Sequence, residues 1–225
     1  MSTTTTITAA EINKLRQATG AGMMDCRKAL VESDGDFEKA IDYLRKKGQK
    51  VAALRSDREA KEGVIIASTT ADNKSGLIIT LACETDFVAK NAEFVAFTQS
   101  IMDIALKNNV KTLEELLSAK FDNASIADKI NDQVARIGEK IQLTRFERID
   151  ADAVAAYIHG AYRMGAPVGL NKNTPAALQA GKDVAMQIAA MNPVSVDPDS
   201  VSPDVIAREK AIVTDQIKND PKMAG

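Results

Sequence analysis

The sequence has little of the residue types on which most catalytic and metal sites depend. Among its 225 residues are one histidine, His159, two cysteines and no tryptophan. A lone histidine leaves no His-based zinc site and no obvious partner set for a nucleophilic triad. Cys26 and Cys83 lie far apart without a Cys-x-x-Cys pair. The cysteines therefore indicate neither a disulfide framework nor a zinc knuckle, which fits a reducing compartment.

Long apolar runs and nucleotide-binding motifs are also missing. Nowhere do 18 apolar residues follow one another, and the threonine-rich start lacks the basic and apolar regions of a signal peptide. Neither Gly-x-x-x-x-Gly-Lys-Ser/Thr nor Gly-x-Gly-x-x-Gly occurs, and the carboxylates fall mostly on charged helix faces. We therefore expect a cytoplasmic protein with no membrane segment, no catalytic residues, no metal, no cofactor and no nucleotide site of its own.

The charge is close to balanced overall but uneven along the chain. A formal net charge of -2 gives no general attraction to nucleic acid. One basic stretch, residues 45–58, contains most of the local excess: Arg45, Lys46, Lys47, Lys50, Arg55 and Arg58. Cations at a helix end favour the helix dipole and keep a linker solvated, but the same stretch could contact RNA.

The first 48 residues have the pattern of three short helices. Thr8 and Glu11 have the spacing of a capping box, and the glycines at positions 20 and 22 predict a break after the first helix. A second helix is expected over residues 23–31, and Asp36 would cap the third. Apolar spacing predicts that the third helix ends near Gly48 and buries one face: Phe37, Ala40, Ile41 and Leu44. A module this small favours a docking role.

After the basic stretch, the apolar period changes from about 3.6 to 2, which indicates strands. Residues 64–70 and 77–83 are predicted to form a hairpin. One face of its second strand would be covered by a helix through Phe94, Phe97, Ile101 and Ile104. A similar order follows, with strands near 141–148, 154–159 and 164–170 and a helix at 174–190. The predicted fold class is α+β, with two core subdomains that have antiparallel sheets.

The last part of the chain predicts a helical hairpin. Pro193, Pro198 and Pro203 prevent a helix through residues 192–203, and a helical pattern resumes at 204–218. Such a hairpin can be an oligomerisation device, which would give a homodimer or a 2:2 complex with a partner. The alternative is a helix pair packed on the core, and the sequence leaves both open.

Three segments together resemble a known family. The first is Cys83-Glu84-Thr85-Asp86-Phe87-Val88-Ala89-Lys90-Asn91, which leaves a strand and enters a helix. The others are residues 19–30, Thr-Gly-Ala-Gly-Met-Met-Asp-Cys-Arg-Lys-Ala-Leu, and residues 159–165, His-Gly-Ala-Tyr-Arg-Met-Gly. In composition, order and spacing they resemble bacterial elongation factor Ts, and the resemblance extends over essentially the whole chain.

The resemblance implies a guanine-nucleotide exchange factor that binds elongation factor Tu and promotes release of its GDP. It implies that a wedge segment, residues 85–88, inserts near the Mg²⁺ site of that GTPase: Thr85, Asp86, Phe87 and Val88. It also implies an N-terminal docking surface formed by four residues: Arg16, Met23, Met24 and Arg27. A weaker core contact would involve His159 and Gly160. The alternative function is an RNA- or ribosome-associated protein that uses the basic stretch 45–58; otherwise no nucleic acid is expected as a partner.

Each of these residues could instead have an ordinary structural role. Phe87 could pack beneath its own helix. The methionine pair could fill the core, although adjacent helical residues do not easily both face inward. The two arginines could lie on a solvated face, and His159 could be a partly buried imidazole satisfied by its strand neighbours.

The predicted domain order has four parts: a three-helix, UBA-like docking module at 1–50, a basic linker at 51–61, a first α+β subdomain at 62–139 and a second at 140–225 with the helical hairpin. The resemblance implies that family members commonly continue past the equivalent of Gly225 with a segment that completes the second subdomain. The second subdomain is therefore expected to be incomplete, either in a fragment or in a short member of the family.

Overall fold

The computed structural model describes residues 7–219, which form helices and antiparallel sheets and so confirm the predicted α+β class. The chain divides into two compact units, residues 1–189 and 190–225. The four-part division into docking module, linker and two subdomains stays a prediction.

Three helices form the N-terminal part of the first unit: α1 (Ala9–Thr19), α2 (Met23–Glu32) and α3 (Phe37–Leu54). The predicted capping box is confirmed, because Thr8 and Glu11 exchange hydrogen bonds at the start of α1. The chain leaves α1 through Gly20, whose φ of 69° is in the left-handed region that favours glycine. The helices enclose a small core: Leu15, Cys26, Ala29, Leu30, Ala40 and Leu44. The likeness to UBA domains stays a prediction.

Strands and helices alternate along the rest of the chain. In chain order they are β1 (Glu62–Thr69), β2 (Ser75–Cys83), α4 (Asp86–Ala89), α5 (Ala92–Lys107), α6 (Leu113–Ser118), β3 (Lys120–Phe121), β4 (Ala124–Ser125), α7 (Ile126–Ile137), β5 (Gln142–Asp150), β6 (Ala153–His159), β7 (Met164–Leu170), α8 (Pro175–Met191) and α9 (Pro203–Asn219). The main sheet is antiparallel in the order β1–β2–β5, while β3–β4 and β6–β7 are two-stranded. The sequence predicts β5 in a second subdomain, whereas β5 pairs with β2 and thereby satisfies that strand's second edge.

Strand β2 is buried on both faces. On one face Leu77, Ile79, Leu81 and Cys83 pack with Phe94 and Ile101 of α5, as the sequence predicts. On the other face Ile78 and Ala82 are also buried. The β6–β7 hairpin covers this second face, since an added Cβ on Gly165 of β7 would lie 3.4 Å from the side chain of Ile78. The first unit is therefore layered as helix, sheet and hairpin, and a central strand of this kind carries a near-continuous apolar run.

The third helix is longer than the sequence predicts, because it continues past Gly48 to Leu54. Gly48 is buried against α7. An added Cβ would lie 2.9 Å from the Cβ of Ala135 and 3.2 Å from the carbonyl oxygen of Asn131. The expected helix end near Gly48 was wrong: the glycine allows two helix backbones to approach closely and does not end the helix.

The second unit, from Ala190 onward, is mainly helix α9. The predicted helices at 174–190 and 204–218 are confirmed as α8 and α9, while their pairing as a hairpin stays a prediction. Five apolar side chains of this unit line a shallow groove of about 580 Å³: Val194, Val201, Val205, Ile206 and Val213.

Candidate partner-binding site

The wedge segment forms a one-turn helix at the corner where β2 ends. Thr85 caps α4, with its hydroxyl accepting from the N–H of Val88. Val88 packs against the main core, whereas Phe87 projects outward and is 83% exposed. The ring therefore does not pack beneath its own helix. An exposed phenylalanine on an otherwise anchored turn is suited to insertion into a partner.

Asp86 lies beside this ring in a local ion pair. Its Oδ2 atom is 2.7 Å from Nζ of Lys90, one helical turn further on. The hydrogen bond from Lys90 holds the pKa of Asp86 below its usual range. Both side chains are accessible, so the pair is a weak surface contact that a binding partner can rearrange.

Glu139 and Glu84, to which the sequence analysis gave no role, fix the backbone of this corner. Glu139, between α7 and β5, accepts hydrogen bonds from the backbone N–H groups of Glu84 and Thr85 at 3.1 and 3.0 Å. It also accepts from the Thr85 hydroxyl at 2.6 Å. The buried thiol of Cys83 donates to the Thr85 carbonyl at 3.2 Å, and burial raises the pKa of this thiol to about 11. These hydrogen bonds fix the backbone of Glu84 and Thr85.

Glu84 connects the same corner to the linker after α3. Its carboxylate accepts from the backbone N–H of Lys140 and lies 2.9 and 3.0 Å from Nη1 of Arg55 and Arg58. The hydrogen bond from Lys140, followed by those from Arg58 and Arg55, lowers the pKa of Glu84 to about 2. Earlier in the basic stretch, Lys47 pairs with Asp25. Three cations of the predicted RNA-binding alternative are therefore engaged by acidic side chains of the same chain.

The low pKa of Glu84 predicts a specific pH dependence of stability. A depressed folded-state pKa stabilises the fold above the ordinary value of 4.5, and this stabilisation is lost as the pH falls towards about 2. We expect Glu84→Gln to lower the free energy of unfolding at pH 7, and the difference from the unmodified protein to shrink below pH 4.5. Urea titrations at several pH values measure this. Glu147→Gln, at an exposed position of β5, is the control, and a difference that persists unchanged at pH 2 would contradict the assignment.

The predicted docking surface is exposed at the start of α2. Met23 and Met24 are 57% and 70% exposed, and Arg16 and Arg27 are exposed as well. The core positions of this helix are instead Cys26, Ala29 and Leu30. The methionines therefore do not fill the core, and the helix presents them outward as an apolar surface with flanking cations.

One member of the docking surface lies close to the wedge segment. Arg16 of α1 and Phe87 line the same cleft of about 620 Å³, together with Gly20, Val88 and Arg136. Gly20 approaches the side chain of Arg136, to whose Cδ an added Cβ would be 2.9 Å. The fold thus brings Arg16 of the docking surface and Phe87 of the wedge segment, 71 positions apart in the chain, to one cleft.

His159 is the last residue of β6, and Gly160 follows it in the turn to β7. Both are exposed, so the expectation of a partly buried imidazole was wrong, but Nδ1 of His159 does lie 2.8 Å from the hydroxyl of Tyr157. The turn is anchored to β1, because the carbonyl of Tyr162 accepts from the N–H of Ile65 at 2.8 Å. Since β1 begins opposite the end of β2, the turn lies at the end of the sheet from which the wedge segment leaves.

Between residues 7 and 219, no three His, Cys, Asp or Glu side chains are grouped in a way that could hold a metal ion. Over the same residues, no helix combines the length and apolar character that crossing a membrane requires.

Comparison with known proteins agrees with the motifs that form this surface. The sequence model of the family described as Elongation factor TS matches residues 84–224. The elongation factor Ts of Christiangramia forsetii is 49% identical over 216 residues, which are 96% of this chain and 78% of that protein. The corresponding protein of Flavobacterium psychrophilum is 48% identical, and that of Amoebophilus asiaticus 46%, each over 217 residues, 96% of this chain and 78% of the relative. A match over nearly the whole chain at this identity, together with the family model over residues 84–224, places the chain in the elongation factor Ts family.

Proposed function

We propose that this protein is a guanine-nucleotide exchange factor of translation elongation, which binds elongation factor Tu in the cytoplasm and promotes release of its GDP. Family membership supports the role, and the observation that carries the mechanism is the exposed ring of Phe87 on a fixed corner. In this proposal Asp86 and Phe87 insert near the Mg²⁺ site of the GTPase, with Thr85 and Val88 supporting them.

The mechanism requires binding alone and no covalent step. Mg²⁺ demands near-ideal octahedral coordination, so a small displacement of the GTPase residues around it weakens its hold on the diphosphate. Burying a phenylalanine in a partner is worth roughly 1.5 to 3 kcal/mol, which is available to stabilise such a displaced state. A protein that prefers the displaced state lowers the affinity of the GTPase for GDP. Because coupling is reciprocal, GDP lowers the affinity of the GTPase for that protein by the same ratio.

Docking is assigned to the UBA-like module at residues 1–50. The exposed pair Met23 and Met24 supplies flexible apolar contact area, and methionine adapts well to a partner surface. Arg16 and Arg27 flank the pair and act mainly on the rate of association. The turn at His159 and Gly160 adds a weaker contact from the core, and the C-terminal helices are available for a homodimer or a 2:2 complex.

The direct test of the function is catalysed release of a fluorescent GDP analogue. Catalytic amounts of the protein, mixed with elongation factor Tu loaded with the analogue, should accelerate the loss of fluorescence in a stopped-flow instrument. The unrelated alternative, RNA binding, predicts affinity for RNA that falls steeply with salt because counterions are released. No acceleration at any concentration of the protein would overturn the proposed function.

The docking surface gives a separate prediction. We expect the double variant Met23→Ala, Met24→Ala to weaken complex formation by about 10- to 100-fold, since each truncation removes roughly 1 kcal/mol or more of apolar burial. Titration calorimetry with the GDP-bound GTPase measures the affinity. Leu54→Ala, at an exposed apolar position at the end of α3, is the control and should bind normally. Unchanged affinity in the double variant would remove these methionines from the interface.

A further inference from the structure

The wedge segment cannot position its own aromatic ring. Phe87 is 83% exposed and so receives little guidance from packing within the chain. It is carried by α4, which has four residues. A single helical turn is not stable by itself, because the first turn fixes several residues for one hydrogen bond. The direction in which Phe87 projects must therefore be set by the backbone of the corner that precedes α4.

Glu139 holds that backbone. One carboxylate oxygen, Oε2, accepts from the N–H groups of Glu84 at 3.1 Å and of Thr85 at 3.0 Å. The other, Oε1, accepts from the hydroxyl of Thr85 at 2.6 Å. A single side chain thus binds three donors in two consecutive residues, and hydrogen bonds to a carboxylate are shorter and stronger than those to neutral acceptors.

Thr85 transmits this contact to α4. Its hydroxyl has one proton, which it donates to Glu139, and its lone pairs then accept from the N–H of Val88. The distance from Oγ1 to that nitrogen is 3.5 Å, which makes a weak cap. A weak cap depends on the side chain staying in one rotamer, and the bond to Glu139 selects that rotamer. The rotamer choice therefore links Glu139 to the turn that carries Phe87.

The position of Glu139 is itself fixed by its neighbours in the chain. Helix α7 ends at Ile137 and is followed by Gly138, whose φ of 80° is accessible to glycine without strain and turns the chain out of the helix. On the other side, the N–H of Lys140 is bound by the carboxylate of Glu84. Lys140 also donates through Nζ to the carbonyl of Arg58 at 2.9 Å. The segments around Glu84 and Glu139 are therefore bonded to each other in both directions.

We propose that Glu139 is a positioning residue for nucleotide exchange: it sets the direction of Phe87 through Thr85, without touching the nucleotide. The inference rests on the proposed exchange function and adds a residue to it. Docking through Met23 and Met24 does not use this contact. Loss of Glu139 should consequently lower the maximal rate of GDP release and leave the Michaelis constant for the GTPase nearly unchanged.

The first test measures the orientation of the ring without any partner. The sequence contains no tryptophan, so a Phe87→Trp variant has a single indole at the wedge position. Adding Glu139→Gln to it retains the side-chain size but replaces one acceptor oxygen by a donor group. We expect the nanosecond anisotropy decay of the indole to show a larger mobile fraction. Glu147→Gln in the same background is the control and should leave the decay unchanged.

The second test measures exchange. Glu139→Gln should reduce the maximal rate about tenfold, since a small misplacement of a positioned group costs rates of this order, while the Michaelis constant changes by less than about twofold. Glu147→Gln, at an exposed position of β5 outside the wedge segment, should leave both constants unchanged. Thr85→Ala should lower the maximal rate to a similar extent. Combining it with Glu139→Gln should lower the rate little further, because each variant removes the same contact between Thr85 and Glu139.

The outcomes separate this inference from the proposed function. If the unmodified protein does not accelerate exchange, the proposed function fails, while the anisotropy measurement still decides whether Glu139 orders the segment. If Glu139→Gln alters neither the indole mobility nor the maximal rate, Glu139 is not a positioning residue. Circular dichroism checks that each variant folds. If Glu139→Gln unfolds, the indole mobility and the maximal rate are measured instead for Thr85→Ala, which retains the carboxylate of Glu139.

Discussion

We expect Phe87→Ala to lower the maximal rate of GDP release from elongation factor Tu by roughly 10- to 100-fold. The estimate follows from the roughly 1.5 to 3 kcal/mol gained when a phenylalanine is buried, at about 1.4 kcal/mol for each tenfold change in rate. The stability of the free protein should hardly change, because the ring is 83% exposed before binding. Stopped-flow fluorescence with a labelled GDP measures the rate, and thermal unfolding measures the stability.

A second exposed apolar residue provides the matched control for Phe87. Leu54, at the end of α3, is 85% exposed, and Leu54→Ala removes a similar apolar surface from outside the wedge segment. This variant should exchange nucleotide at the normal rate. Asp86→Ala should reduce the rate by a smaller factor, since its carboxylate is already paired with Lys90. If Phe87→Ala and Leu54→Ala behave alike, the wedge proposal is wrong.

Local signals in the sequence predicted the local structure well. The capping box at Thr8 and Glu11, the cap at Asp36 and the break at Gly20 all form, because each depends on residues within one turn of one another. The alternating apolar residues of β2 likewise lie on one buried face. Exposure of Phe87 was expected only through the resemblance, because an isolated phenylalanine in a sequence does not indicate whether it is packed or exposed.

Contacts between distant segments could not be predicted in this way. Glu139 contacts Thr85 across 54 positions, and nothing in its sequence neighbourhood distinguishes it from the other glutamates of the chain. The pairing of β5 with β2 is of the same kind, since the pattern of β5 shows that it is a strand but not which strand it joins. His159 does have a strand neighbour as its partner, Tyr157, but its exposure could not be read from the sequence.

Gly48 shows how one residue type can support opposite structural conclusions. Glycine after an apolar helical pattern commonly marks a helix end, but it also allows two helices to approach closely. The burial of Gly48 and its distance from α7 decide for the second possibility. This crossing joins the helix that ends the docking module to the helix whose end carries Glu139, so its integrity bears on both halves of the proposed mechanism.

We expect Gly48→Leu to destabilise the protein by about 2 to 3 kcal/mol, because extra atoms in a tightly packed contact force side chains and backbone to shift. Already a Cβ atom would lie 2.9 Å from the Cβ of Ala135 and 3.2 Å from the backbone oxygen of Asn131, and the backbone cannot easily move. Separation of α3 from α7 should then raise the Michaelis constant for the GTPase, because the docking surface and the wedge segment would no longer be held at a fixed distance from each other. Urea unfolding and exchange kinetics measure the two effects.

Two further variants separate the crossing from general effects on the helix. Gln49→Leu places the same side chain at the next, exposed position of α3 and should be close to neutral. For Gly48→Ala, overpacking should lower the free energy of unfolding by about 1 to 3 kcal/mol, and the better helix propensity of alanine should raise it by about 1 kcal/mol. Ala135→Gly removes the nearest clashing atom but itself costs about 1 kcal/mol in helix propensity. The double variant Gly48→Ala, Ala135→Gly should therefore lose less stability than the sum of the two single variants. If Gly48→Leu proves as stable as Gln49→Leu, the helices do not need close contact at residue 48, and the docking module is joined to the core by other means.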